Sequence, residues 1–335
     1  MTQIVATVDF AKEGKQVGWL RVPHSVTRSA YGIVPVPIAV LRNGPGPAIL
    51  LTAGTHGDEY EGQVVLTRLI QQLQPEEMRG LLIVMPALNA PAAIAGSRVS
   101  PLDEGNLNRA FPGDPDGGPT WKIADYVGNH LVPMVDVVGD FHGGGASLAY
   151  RPHASTHFSP DSGTELRERS LAAVKALGIP HVMIFESRSA AGGMSAATRK
   201  HGKIYLNGEY GGTASVSRES VALVDQAVRR LLAFFGTRND RFEPLPEPEV
   251  LSVFGTEAYV YASDPGVFVP AVRLGDTVRK GDLCGHLYFP ETPERAAVEM
   301  VFEGSGDVVC QRHPARVERG DCLAHLARPV MSPAR

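Results

Sequence analysis

The sequence predicts an α/β chain: a mixed sheet with helices on both faces, joined to a small C-terminal all-β barrel-sandwich. Three observations carry this. Short continuous apolar runs, such as Leu81-Leu82-Ile83-Val84-Met85, alternate with stretches of helical spacing, the pattern of a parallel sheet buried on both sides. A proline-rich, charged stretch from Asn239 to Pro248 then interrupts the order, as linkers between compact units do. Beyond it the texture changes to short alternating strands broken by Gly-Asp turns.

Taken in order, Gln16 to Val22 and Tyr31 to Arg42 read as strands, the second ending in the turn signal Asn43-Gly44-Pro45-Gly46, and together they predict an antiparallel edge. Ala48 to Leu51 is the next apolar run. Val64, Val65, Leu66, Leu69, Ile70 and Leu73 recur at helical spacing before the strand at 81–85. The alternation repeats with helices over Thr120 to Val132, Gly163 to Leu177 and Val216 to Phe235, and strands over Val135 to Phe141, His181 to Phe185 and Lys203 to Leu206. The expected organisation is a larger domain over 1–238 with its N-terminal strands within 1–43, a linker over 239–249, and a β domain over 250–335. That last part holds an internal repeat: Val278 to Leu287 and Val317 to Leu326 match at Val, Gly, Asp, His and Leu. The turn around Gly275 to Asp282 is similar to that of biotinyl and lipoyl domains, but no lysine stands in a carrier context, and Lys280 reads as plain turn chemistry. His286 and His325 share a register and read as packing residues.

Composition narrows the class. With 335 residues, 43% of them hydrophobic, the chain can bury a full core. Its formal net charge of −4 does not favour polyanions, so nucleic acid is not an expected partner. No apolar run is long enough for a membrane span and the N-terminus lacks the blocks of a signal peptide, so neither a membrane partner nor export is expected, and the cytoplasm is the expected location. Cys284, Cys310 and Cys322 show no CxxC spacing and read as reduced thiols in strands.

The chemistry concentrates at two strand ends. Gly54-Thr55-His56-Gly57-Asp58-Glu59 follows the run at 48–51, which places a histidine and a carboxylate where open α/β sheets carry their sites. Asp140-Phe141-His142-Gly143-Gly144-Gly145 ends a second strand. His56, Glu59 and His142 supply two imidazoles and a carboxylate, three ligands that leave zinc's fourth position open, as in catalytic rather than structural sites. The competing reading of these residues alone is two hydrogen-bonded histidines in turns. Asp140, two positions before His142 in an extended strand, leaves the same face and suits the role of partner to its ring. Asp58 reads as a cap for the following helix.

These motifs, with Asn106 to Gly113 (NLNRAFPG) and Asn207 to Gly212 (NGEYGG), stand in the order seen in the succinylglutamate desuccinylase and aspartoacylase family, a branch of the zinc carboxypeptidase superfamily, which most of the chain resembles. Within it the chain looks most similar to the bacterial N-acetyl-diaminobutyrate deacetylases. The resemblance implies a zinc-carboxypeptidase-like fold, one Zn2+ per chain on His56, Glu59 and His142, and removal of a short acyl group from an N-acyl amino acid. It implies Glu209 as general base, Arg98 as the donor to the tetrahedral oxyanion, and Asn108 with Arg109 as the grip on the substrate carboxylate. For the amino-acid side chain, Phe185-Glu186-Ser187-Arg188-Ser189 offers Glu186 to meet an extra amine and Arg188 to favour an acidic or neutral group. Deacylation of N-acyl acidic amino acids, a small-peptide carboxypeptidase, and a zinc-free binding or carrier protein remain the alternatives. The sequence is compatible with a homo-oligomer and does not specify one.

Overall fold

The structure, a computed structural model, describes residues 3–186 and 192–330. Its main sheet begins with β1 (Val5–Ala6), β2 (Gly14–Pro23), β3 (Ile33–Asn43), β4 (Ala48–Ala53), β5 (Gly80–Met85), β6 (Val137–His142), β7 (Leu148–Tyr150), β8 (His153–Phe158), β9 (His181–Glu186), β10 (Ile204–Glu209) and β11 (Glu249–Ser252). The C-terminal strands are β12 (Tyr259–Tyr261), β13 (Gly266–Pro270), β14 (Thr277–Val278), β15 (Leu283–Tyr288), β16 (Val298–Val301), β17 (Gly306–Arg312), β18 (Arg316–Val317) and β19 (Cys322–Pro329). Helices are α1 (Glu61–Gln72), α2 (Ala90–Ala95), α3 (Leu107–Ala110), α4 (Pro119–Tyr126), α5 (Thr164–Ala176), α6 (Gly193–Lys200) and α7 (Arg218–Phe234).

The sheet runs β1-β2-β3-β5-β4-β6-β10-β8-β9-β11-β19-β17-β14. β2 and β3 pair antiparallel along their full length, giving the expected edge. β4 lies parallel between β5 and β6. The chain goes from β4 through α1 to β5 on one side, then returns to β6 on the other, and the crevice at such a reversal is where open α/β sheets bind ligands. His56 and His142 stand at the ends of β4 and β6, on either side of it.

Why the central strands read as unbroken apolar runs is visible in where alternate residues go. In β4, Leu50 joins a core with Leu107, Ile123 and Met194. Its neighbours Ile49 and Leu51 join the other, with Leu66 of α1, Val174 of α5 and Leu231 of α7. Helices therefore cover both faces, and every side chain of β5 and β6 is buried.

The short elements β1, β7, α2, α3 and α6 were not expected from the sequence, and two further stretches differ from expectation. The helix expected over 120–132 is α-helical only to Tyr126, then widens to a π turn over Val127–Leu131 and tightens to a 3-10 turn over Val132–Met134. Pro133 has no N–H to continue an α ladder, which accounts for the change at its end. β8 was not expected, because Pro152 precedes it and its sequence His-Ala-Ser-Thr-His-Phe mimics a polar loop. Burial of that polar strand in the sheet's interior is explained below by what it faces.

The C-terminal strands form a second antiparallel sheet, β16-β15-β13-β18, whose side chains share a core of Phe268, Leu287, Phe302 and Leu323 with β12, β14, β17 and β19. The internal repeat appears as one turn used three times. The Asp276, Asp282 and Asp321 carboxylates accept from the N–H of Arg273, Arg279 and Glu318 at 2.8, 2.7 and 2.9 Å, each closing a turn through a glycine at φ near +91 to +92°. Lys280 belongs to one of these turns, as expected. β17 pairs with β7, and β11 pairs with β9 and β19, so the main sheet continues into the C-terminal strands without interruption. Among the described residues no helix is long and apolar enough to cross a membrane.

Candidate metal centre and substrate cavity

The ends of β4, β6 and β10 bring the site together. His56, Glu59 and His142 are each at most 4% exposed, and one ligand atom from each lies within 4.8 Å of the others, an arrangement that could hold a metal ion. Nδ1 of His56 is 2.7 Å from Glu59 Oε1, and Nδ1 of His142 is 2.8 Å from Oε2. The far nitrogens are held as well. His142 Nε2 donates to Asp140 Oδ2 at 2.8 Å, and His56 Nε2 donates to Asn106 Oδ1 at 3.2 Å. With each Nε2 already hydrogen-bonded, the nitrogen that each ring turns toward Glu59, and would offer to a metal ion in place of that contact, is Nδ1.

Asp140 is itself fixed, accepting from Thr52 at 2.8 Å, Thr55 at 3.0 Å and Tyr205 at 3.2 Å. Burial would push the carboxyls of Asp140 and Glu59 up, but His142 outweighs it at Asp140, and His56 with His142 outweigh it at Glu59, so both lie below the usual range. Asp140 thus meets the sequence expectation. Asp58 does not: α1 starts at Tyr60 with no side-chain cap, and Asp58 Oδ2 instead accepts from the Ala146 N–H at 2.7 Å, pinning the Gly143–Gly145 loop. That loop lies against the second glycine motif, the Gly144 N–H donating to Gly211 O at 3.0 Å. Gly57 has a separate reason: a Cβ there would collide with the Ala92 backbone carbonyl, so only glycine lets α2 pack over the His56 turn.

Glu209 ends β10, where parallel pairing sets it beside His142. The residue is half-buried, its Oε2 is buried and has no partner among the described residues, and burial followed by the Glu59 charge pushes its carboxyl well above the usual range. Arg98 Nη1 lies 3.4 Å from Glu59 Oε1. Arg109 is exposed on its outer side and has no ion-pair partner among the described residues. Asn108 uses its carbonyl oxygen to accept from the Met194 N–H at 3.3 Å, and its NH2 has no partner among the described residues.

His56, Glu59, His142, Glu209, Arg98, Asn108 and Arg109 line one cavity of about 250 Å³, together with His153, Ser155, His157, Asn207, Tyr259 and His325. The structure therefore brings together the metal, catalytic and carboxylate-binding candidates named from the sequence. Glu186 is the exception among the side-chain readers: it is exposed, forms a two-pronged ion pair with Arg167 at 2.8 and 3.1 Å, and does not line the cavity. Arg188 lies outside the described residues. Sequence reasoning missed Asn106, Thr52 and Thr55, although Asn106 opens the NLNRAFPG motif and an asparagine next to metal-site candidates was a signal. It also set His325 aside as packing; the ring is 5% exposed and faces the cavity, stacked on Tyr259 with centroids 4.3 Å apart.

The catalytic-domain model of the succinylglutamate desuccinylase/aspartoacylase family matches residues 45–235. The chain belongs to this family. It is 39% identical to the N-alpha-acetyl-L-2,4-diaminobutyric acid deacetylase of Halomonas elongata over 330 residues, 98% of this chain and 96% of that protein. Among solved structures, the product-bound ectoine utilization protein from Ruegeria pomeroyi superimposes with a TM-score of 0.93 at 36% identity, covering 98% of this chain and 99% of that one. A succinylglutamate desuccinylase/aspartoacylase from Rhodobacter sphaeroides gives 0.91 at 34% identity over 99% and 100% of the two chains. Matches of this length include the C-terminal strands as well as the catalytic region, so the family relationship extends to the residues that complete the cavity.

Proposed function

We propose that the protein is a zinc-dependent deacetylase of Nα-acetyl-L-2,4-diaminobutyrate, with one Zn2+ per chain held by His56, Glu59 and His142. The observation that carries the reading is the convergence of this ligand group, Glu209 and an unpaired Arg109 in one small cavity, on a chain similar along its length to a diaminobutyrate deacetylase. The donor set fits zinc because two imidazole Nδ1 atoms and a carboxylate face one another and the far nitrogens are already bonded.

When bound, zinc supplies Lewis acidity that brings the pKa of water toward about 7. The protein's own groups do the rest. Glu209 takes the proton of the attacking water and delivers it to the leaving amine, a task suited to a buried carboxyl with raised proton affinity. Arg98 donates to the oxygen that gains charge as the carbonyl becomes tetrahedral. Arg109 holds the α-carboxylate through its planar fork, assisted by the Asn108 NH2.

A panel of N-acyl amino acids scored by amine release tests the substrate. Nα-acetyl-L-2,4-diaminobutyrate is expected to exceed N-acetylaspartate and N-succinylglutamate in kcat/KM by about 10²-fold or more, and the reverse order would replace this reading with an acidic-substrate deacylase. A second result is expected from Arg109. Esterifying the substrate carboxylate should cost the wild type about 10- to 100-fold in kcat/KM, whereas Arg109→Ala should hydrolyse acid and methyl ester alike. Arg109→Lys recovers part of the preference, keeping charge without the fork. An undiminished preference in Arg109→Ala would pass the role to another cation, Arg98 first.

A further inference from the structure

The acid expected to meet a substrate amine, Glu186, is bound to Arg167 outside the cavity, so the amine's reader must be sought elsewhere. β8 is the buried polar strand whose placement needed explaining. Antiparallel register sets His153 opposite Glu209 and Ser155 opposite Asn207, and parallel register sets His157 beside Phe185. His153, Ser155 and His157, at alternate positions of one strand, therefore share the face that carries Glu209, and all three line the cavity.

This wall is uncharged. Burial drives the His153 imidazole down to about 4, and burial followed by the Arg199 charge drives His157 down to about 3, so both rings are neutral near pH 7. His153 is 1% exposed and its tautomer is fixed by geometry. Nδ1 lies 3.0 Å from the Arg151 carbonyl oxygen, which can only accept, so Nδ1 carries the hydrogen and Nε2 is left as a lone-pair acceptor. That Nε2 is buried and has no partner among the described residues. A buried acceptor without a donor is costly and uncommon, and in a ligand cavity it marks where a ligand brings the donor. The Tyr150 ring meets His153 edge-on, centroids 5.7 Å apart, adding an aromatic surface that suits a cation. Among the described residues, both arginines lining the cavity come from the segment between α2 and the end of α3, and none stands on β8. An acidic side chain reaching β8 would find no guanidinium on it.

We propose that His153 reads the substrate's side-chain ammonium through Nε2, and so is the residue that selects a diamino acid. The assignment rests on the deacetylase reading above. It gives β8 its reason: a strand of histidines and hydroxyls can be buried in this sheet because its polar face is a substrate wall.

The test compares Nα-acetyl-L-2,4-diaminobutyrate with Nα-acetyl-L-norvaline, in which a methyl group replaces the ammonium. The wild type should favour the diamino substrate strongly. His153→Phe should lower kcat/KM for it by about 10- to 100-fold, chiefly through KM, while the norvaline substrate changes by less than about threefold and metal content is unchanged. His153→Gln, whose amide oxygen can accept near the same place, should recover part of the preference. If the phenylalanine variant does not fold, His153→Ala carries the same expectation. Equal losses on both substrates, or a glutamine variant no better than phenylalanine, would overturn the assignment. So would a preference that survives in His153→Phe but disappears in Arg199→Ala, the nearest cation behind His157. A wild type that leaves the diamino substrate intact would instead refute the deacetylase reading, before any variant is measured.

Discussion

Glu209→Gln is expected to keep its metal and lose turnover by about 10²–10⁴-fold. The amide replaces the carboxylate atom for atom, so β10 and its pairing with β6 and β8 are undisturbed. What disappears is the ability to take a proton from water and release it to the amine. Because that exchange happens in the transition state, the loss should fall on kcat with little change in KM. Metal content and kcat measured on the same preparation check this, and a variant hydrolysing at near the wild-type rate removes Glu209 from the mechanism.

His142→Ala differs in kind. Removing this ring deletes one of the three proposed ligands, and it also strands Asp140 and Glu59, two buried carboxylates that each receive a hydrogen bond from it. The purified variant should carry far less zinc than the one equivalent expected of the wild type, and should show no amide hydrolysis above background. Stability should fall as well, since a buried charge left without its partner typically costs about 3–5 kcal/mol. Metal analysis and thermal unfolding together decide the matter: a variant that retains both metal and activity would displace His142 from the ligand set.

Much of this site was legible in the sequence because its parts are local. A histidine and a carboxylate three positions apart, at the end of an apolar run, are a turn's worth of chain, and Asp140 reaches His142 by strand alternation alone. What was not legible depends on register between distant strands. His153 stands next to Glu209 only because β8 and β10 pair antiparallel with those residues opposite each other, and no periodicity within His153–Phe158 announces it. His325 was read as packing for the same reason: its neighbour Tyr259 and the cavity beyond are brought to it by β12 and β19. Glu186 failed in the opposite sense. Its position in the sequence suggested a role that its partner Arg167, one helix away, had already taken.

The pairing of β19 with β11, β12 and β17 has a consequence for how the protein comes into being. His56 and His142 emerge from the ribosome early, and their sheet can begin to form while synthesis continues. The cavity cannot, since the strand carrying His325 appears well after them and its neighbours β11 and β17 lack a common partner until it arrives. Contacts this distant along the chain form slowly. A nascent chain could therefore gather its ligand group, and even an ion, well before it could enclose a substrate, so hydrolytic competence should trail metal uptake during synthesis.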